Sequence, residues 1–249
     1  MLFSLLDSVI NGDVESLKMA IVEVIISIPI FLLILSIHES AHGFVAYKLG
    51  DPTARSMGRL TLNPLKHIDP FGIIVMFLVG FGWAKPVPIN TRYFKKPKRD
   101  MALSAAAGPL SNLLLALLFA ALLKFYSLSY STSSPFGNEI LLSVPWRLLG
   151  MFLYKGVSLN IMFAIFNMIP VPPFDGSRLL LAFLPSHIYF KIQQYERYIY
   201  IAFMLLLILG VLDVPLNWCF SKVLDAVFWL FNIGWDLVYG IIISLMLQL

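Results

Sequence analysis

The sequence predicts a mainly α, polytopic membrane protein. It has about five to six transmembrane helices and a membrane-embedded re-entrant β element between the first and second spans. Three observations carry this reading. Hydrophobic residues fill 59% of the 249 positions and charged residues only 13%, against roughly 25% charged in soluble domains. Apolar runs close to the ~20 residues that cross a bilayer recur along the chain. The basic residues gather beside those runs rather than on a separate domain.

In order, residues 1–17 mix polar and apolar side chains as a short interfacial helix does, and the first span covers about 20–48. Arg59-Leu-Thr-Leu-Asn63 alternates with the period of a strand. Segment 71–82 is apolar but too short to span, which favours a re-entrant element or a buried strand. Trp83 to Asn90 reads as extended, with Pro86 and Pro88 two apart, and prolines sit at sheet edges. Further spans follow at about 101–124, 150–169, 197–212 and 223–247; the fourth is short enough to tilt or to reach back toward Tyr195. Residues 1–249 form a single integral-membrane domain, its core at about 20–185 and additional carboxy-terminal spans at about 197–247.

The formal net charge of +4 does not imply nucleic acid, because the cations flank apolar spans, where topology explains them. Of the eighteen Lys and Arg residues, ten lie in 48–99 and three (Arg178, Lys191, Arg197) in 176–197. The other five, Lys18, Lys124, Arg147, Lys155 and Lys222, fall toward the opposite side. Thirteen against five places loop 48–99 in the cytoplasm and the Ser-rich loop 125–145 outside. The cluster from Arg92 to Arg99 is a topology signal that also meets anionic headgroups. The first residues carry no signal-peptide pattern, and the single Cys219 excludes an intrachain disulfide framework and any CxxC site.

The first span contains His38-Glu39-Ser40-Ala41-His42. Histidines at i and i+4 share one helix face, the geometry that grips one zinc ion, with Glu39 placed to take a proton from water held there. Ionisable groups at that depth cost several kcal/mol each unless paired or functional. His38 lies ~15 Å from the helix end near Lys48, which submerges the motif nearer the cytoplasmic face. Catalytic zinc usually takes three protein ligands; Asp51, Asp69, Asp175 and His67 are the candidates for the third. Asp175 stands out. It follows Asn167-Met-Ile-Pro-Val-Pro-Pro173-Phe, where three prolines break the preceding helix, and broken backbone at membrane depth belongs against protein or a water-filled cavity.

An HExxH motif in a transmembrane helix followed by an N-x2-P-x2-P-x-D-G element resembles the site-2 protease family of intramembrane zinc metalloproteases. Gly58 to Gly72, Gly82 to Asn90 and Gly108-Pro-Leu-Ser-Asn112 resemble that family's bacterial members as well. The resemblance implies one Zn2+ per chain held by His38, His42 and Asp175, with Glu39 as general base and Asn167 near the oxyanion. It implies a transmembrane protein substrate and the inner membrane of a bacterium. No PDZ insertion or carboxy-terminal CBS domain is expected. An open strand edge in 58–94 would accept an unwound substrate; a packed loop sealing the site is the alternative. Trp83, Val87, Asn112 and His67 are candidates for substrate binding or gating, with helix packing the simpler role for Asn112 and a structural role the simpler one for His67. The rival functions are a membrane metal-ion transporter and a non-catalytic membrane-protein binder.

Overall fold

The structure, a computed structural model, describes residues 13–72, 84–129 and 143–246. Helix α1 covers Val14–Lys48, α2 Pro97–Ser129, α3 Val144–Asn167, α4 Asp175–Phe183, α5 Ser186–Ile208, α6 Asp213–Phe231 and α7 Trp235–Met246. Among the described residues α1, α2, α3 and α6 are long and apolar enough to cross a membrane.

Asp13 caps α1, its carboxylate accepting from the Ser16 N–H at 3.1 Å. Residues 13–17 therefore open the first long helix instead of forming a separate interfacial one, while 1–12 lie outside the described residues. The helix continues through Pro29. Ile30, Ile34, His38, His42 and Ala46 are buried at a spacing of four, so one face serves the interior. Ile21, Ile25, Ile28 and Leu33 are exposed, as lipid-facing residues are. A four-residue exposed row on α2, Leu110, Leu114, Leu118 and Leu122, has the same character.

The core forms where α2 meets α3. Ala116, Phe119, Ala120 and Leu123 pack with Met151, Val157 and Ile161, and α6 and α7 fold back to add Leu224, Phe228, Ile241 and Leu245. Gly156 permits the close crossing: a Cβ there would collide with the Phe119 ring.

The carboxy-terminal region divides differently from the expected two spans. The expected fourth span, 197–212, is the second half of α5, which ends at Ile208 before Gly210 in the left-handed region (φ 70°). The expected fifth span, 223–247, is two helices, because Asn232 adopts φ 50° and ends α6. Asparagine tolerates that conformation better than most residues.

No strand occurs among the described residues. The alternation at 59–63 ends in a 3-10 turn, Pro64–Lys66, opened by Asn63, whose side chain accepts from the Leu65 N–H. Residues 84–90 run without a ladder partner. Asp69 accepts from the Phe71 and Gly72 N–H groups, a turn-initiating pattern at the start of the 71–82 segment. Residues 73–83, including Trp83, lie outside the described residues, as do 130–142 of the Ser-rich loop.

Candidate metal centre

His38 and His42 project from the buried face of α1 with their rings edge to face, centroids 4.5 Å apart. Their Nε2 atoms are 3.0 Å apart. Asp175, the first residue of α4, brings Oδ2 to 3.1 Å from His38 Nε2 and 3.2 Å from His42 Nε2. Sequence separation is closed by the chain between α3 and α4. That segment turns through Ser177 N–H to Phe174 C=O and Phe174 N–H to Val171 C=O bonds. A Cβ at Gly176 would collide with the Met168 carbonyl and stand 2.7 Å from that of Ile169, so only glycine lets α4 start directly beneath the end of α3.

Three donor atoms thus converge, and among the described residues these three side chains form a group that could hold one metal ion. Their fit can be judged from the structure. Two imidazole nitrogens and a carboxylate oxygen at 3.0–3.2 Å approach the ~3.3 Å edge of a tetrahedron with ~2.0 Å bonds. Asp175 Oδ2 is a buried atom with no conventional hydrogen bond among the described residues. The donor set suits zinc.

Helix α2 supplies the back wall through residues 104, 108 and 112, which share one face. The Ser104 carbonyl accepts from His42 Nδ1 at 2.7 Å, which leaves the Nε2 lone pair directed at the centre. Gly108 makes room for both rings; a Cβ there would stand 2.6 Å from His38 Cε1 and closer still to His42. Asn112, fully buried, places its side-chain amide 3.0 Å from His38 Nδ1. The third wall is Phe163 of α3, edge-on to His38 at 5.2 Å.

Glu39 faces away from this wall. Its Oε2 accepts from the Val87 N–H at 2.8 Å, so the 84–90 segment lies against the motif helix. That segment is pinned by Arg59, whose Nη2 donates to the Lys85 and Pro86 carbonyls at 2.7 and 3.2 Å. It is pinned also by Asp51, whose Oδ2 accepts from the Asn90 N–H at 2.7 Å. The Val87 N–H expected to meet a substrate is thus occupied by Glu39.

The other candidate ligands have different work. Asp51 is fully buried and binds Thr53 and Asn90 backbone N–H groups. Asp69 caps the turn at Pro70. His67 is fully buried and donates from Nε2 to the Thr61 carbonyl at 2.7 Å, an oxygen shared with the Ser40 hydroxyl at 2.6 Å. His67 thus closes loop 61–67 on itself, and the Ser40 hydroxyl ties that loop to the motif helix. Asn167 closes α3 and donates to the Phe163 carbonyl one turn back, on the helix face whose Phe163 touches His38. The sequence marks Gly108 only as the first residue of the Gly108–Asn112 motif, and Ser104 only by its spacing of four from Gly108.

Comparison with known proteins agrees with this geometry. The chain is 42% identical over 174 residues to "Putative zinc metalloprotease YwhC" of Bacillus subtilis (strain 168), covering 70% of this chain and 75% of that protein. It is 26% identical over 156 residues to "Putative zinc metalloprotease Rip2" of Mycolicibacterium smegmatis, covering 59% of this chain and 52% of that protein. The Rip2 protein of Mycobacterium tuberculosis (strain H37Rv), under the same description, is 25% identical over 210 residues, covering 82% and 72%. No solved structure gives a significant match. A family model described as Peptidase family M50 matches residues 26–210, about three quarters of the chain, and with the zinc-compatible cluster in place this chain belongs to peptidase family M50, the site-2 protease family.

Proposed function

We propose that this protein is an intramembrane zinc endopeptidase that hydrolyses peptide bonds in or near transmembrane segments of membrane-protein substrates. The observation that carries the proposal is the convergence of His38, His42 and Asp175 on one point inside a helix built to cross a membrane. His38, His42 and Asp175 would hold the ion, one per chain. Zinc supplies a Lewis acid that activates water at neutral pH. Glu39, one residue from His38 on the same helix, takes the proton from the attacking water and passes it to the leaving amine. Its hydrogen bond from Val87 keeps the carboxylate oriented until substrate arrives.

Asn167 is assigned to the oxyanion. Its amide N–H now serves the Phe163 carbonyl, and turning it toward a substrate carbonyl would supply a donor of the kind whose loss typically costs about 10²–10³ in rate. A helical substrate hides its peptide bonds, so it must unwind, and the 58–94 segment is the part of the chain that would hold the unwound strand. Because Glu39 takes the Val87 N–H, residues other than Val87 would supply the pairing groups, or Val87 must exchange partners. Residues 20–185 are the proteolytic core and the helices after it complete a single membrane domain. The thirteen-to-five distribution of basic residues supports a cytoplasmic 48–99 loop and entry of water from that side. The membrane is read as the inner membrane of a bacterium, the relatives being bacterial proteins.

Transport of a metal ion is the weaker reading, since the ionisable groups gather at one centre rather than along a path. Co-expression of single-span substrates with wild type and with Glu39→Gln tests the proposal. A product formed only with wild type is expected; the same product from both would overturn it.

A further inference from the structure

The two histidines of the centre are held differently on their outer nitrogens, and the difference concerns Asn112. For His42 the matter is settled by chemistry, because the Ser104 carbonyl can only accept, so Nδ1 carries the hydrogen and Nε2 is left with its lone pair. His38 meets an amide, which offers a donor at one end and an acceptor at the other. As placed, Asn112 Nδ2 lies 3.0 Å from His38 Nδ1, while Oδ1 is buried without a hydrogen-bond partner among the described residues. A donor there would require a lone pair on His38 Nδ1 and therefore a hydrogen on Nε2. That hydrogen would point into the cluster, 3.0 Å from His42 Nε2 and 3.1 Å from Asp175 Oδ2. An Nε2 carrying hydrogen cannot ligate. Rotating the amide by half a turn preserves its shape, exchanges oxygen and nitrogen, and gives Oδ1 the partner it lacks.

We infer that Asn112 is a positioning residue for the metal centre: its Oδ1 accepts from His38 Nδ1–H and fixes the tautomer that leaves Nε2 open to zinc. This rests on the zinc reading above and deepens it. Asn112, Gly108 and Ser104 then act as one strip of α2, with the outer two selecting the tautomer of one histidine each and the middle one leaving space for both rings. Outer hydrogen bonds of this kind usually govern metal affinity by about 10–100-fold.

The inference separates an acceptor from mere packing through two substitutions. Asn112→Asp keeps an oxygen acceptor in the same shape, and Asn112→Leu keeps the volume without it. Zinc affinity, measured by chelator competition in detergent micelles, should fall about 10–100-fold in Asn112→Leu and stay within a few-fold of wild type in Asn112→Asp. The chain has four histidines, so ring-nitrogen NMR of 15N-histidine-labelled, metal-free protein can report the tautomer directly. His38 is identified by the signal lost in His38→Ala. Hydrogen on Nδ1 of His38 in wild type and in Asn112→Asp is the expected result, and the wild-type spectrum alone decides should Asn112→Leu not fold. Hydrogen on Nε2 in wild type, or equal loss of affinity in both variants, would overturn the inference. Failure of wild type to bind zinc would instead overturn the functional reading, while the metal-free spectrum would still test Asn112.

Discussion

Replacing Gly108 by alanine is the sharpest test of how the centre is built. Alanine is the better helix former by about 0.8–1 kcal/mol in a helix interior, so on propensity alone Gly108→Ala should strengthen α2. The new Cβ would nevertheless stand 2.6 Å from His38 Cε1, where ordinary contact begins at 3.4 Å. The His38 ring must therefore retreat by at least about 0.8 Å, and the His42 ring by more. Both rings are fixed on their outer nitrogens by Ser104 and Asn112, so they cannot yield without breaking those bonds. Loss of the hydrogen bonds that orient metal ligands typically costs about 10–100-fold in metal affinity, and we expect zinc affinity to fall by a factor in that range. The assay is zinc affinity by competition, with thermal stability followed in the same samples. Gly156→Ala is the control, since its Cβ meets the Phe119 ring in the core. It should lose about 1–3 kcal/mol of stability by overpacking and retain zinc. Wild-type zinc affinity in Gly108→Ala would refute the reasoning.

Three further outcomes are expected. Purified protein should contain about one zinc per chain; Asp175→Ala should lose it, whereas His67→Ala should keep it and lose stability through the broken Thr61 link, by about 0.5–1.5 kcal/mol for the one hydrogen bond, since Ser40 still serves that carbonyl. Metal that survives Asp175→Ala but not His67→Ala would reverse the ligand assignment. Val87→Pro removes the N–H that Glu39 accepts and should reduce cleavage much more than Val87→Ala, with zinc content unchanged in both; equal activity of the two would show that this bond is dispensable. A cysteine at Lys96, in a background lacking Cys219, should react with an impermeant thiol reagent only once the cytoplasmic face is opened, and labelling of intact cells would invert the topology.

The centre was legible to different depths. His38 and His42 follow from helix period alone, since residues four apart share a face whatever surrounds them. Asp175 was readable because three prolines break the helix before it, though it took the family resemblance to separate it from Asp51, Asp69 and His67. The layer behind the ligands was not readable. Ser104 acts through a backbone carbonyl, which every residue possesses, and Gly108 acts through the absence of a side chain. Asn112 looked like helix packing because its partner lies 74 positions earlier. The expected pairing role of Val87 depended on the direction of one N–H, which no sequence pattern encodes. In the fold, the long apolar helices were evident from composition. The breaks after Ile208 and at Asn232 were not, because each rests on the left-handed conformation of a single residue, Gly210 or Asn232, within a largely apolar run.

Cleavage of a single-span substrate in reconstituted vesicles, with the cut mapped by mass spectrometry, tests the central claim most directly. The account predicts a cut in or beside the hydrophobic span by zinc-loaded wild type. Glu39→Gln should bind zinc equally and show at least about 10²-fold less cleavage. A cut only in a soluble domain, or undiminished cutting by zinc-loaded Glu39→Gln, would contradict it.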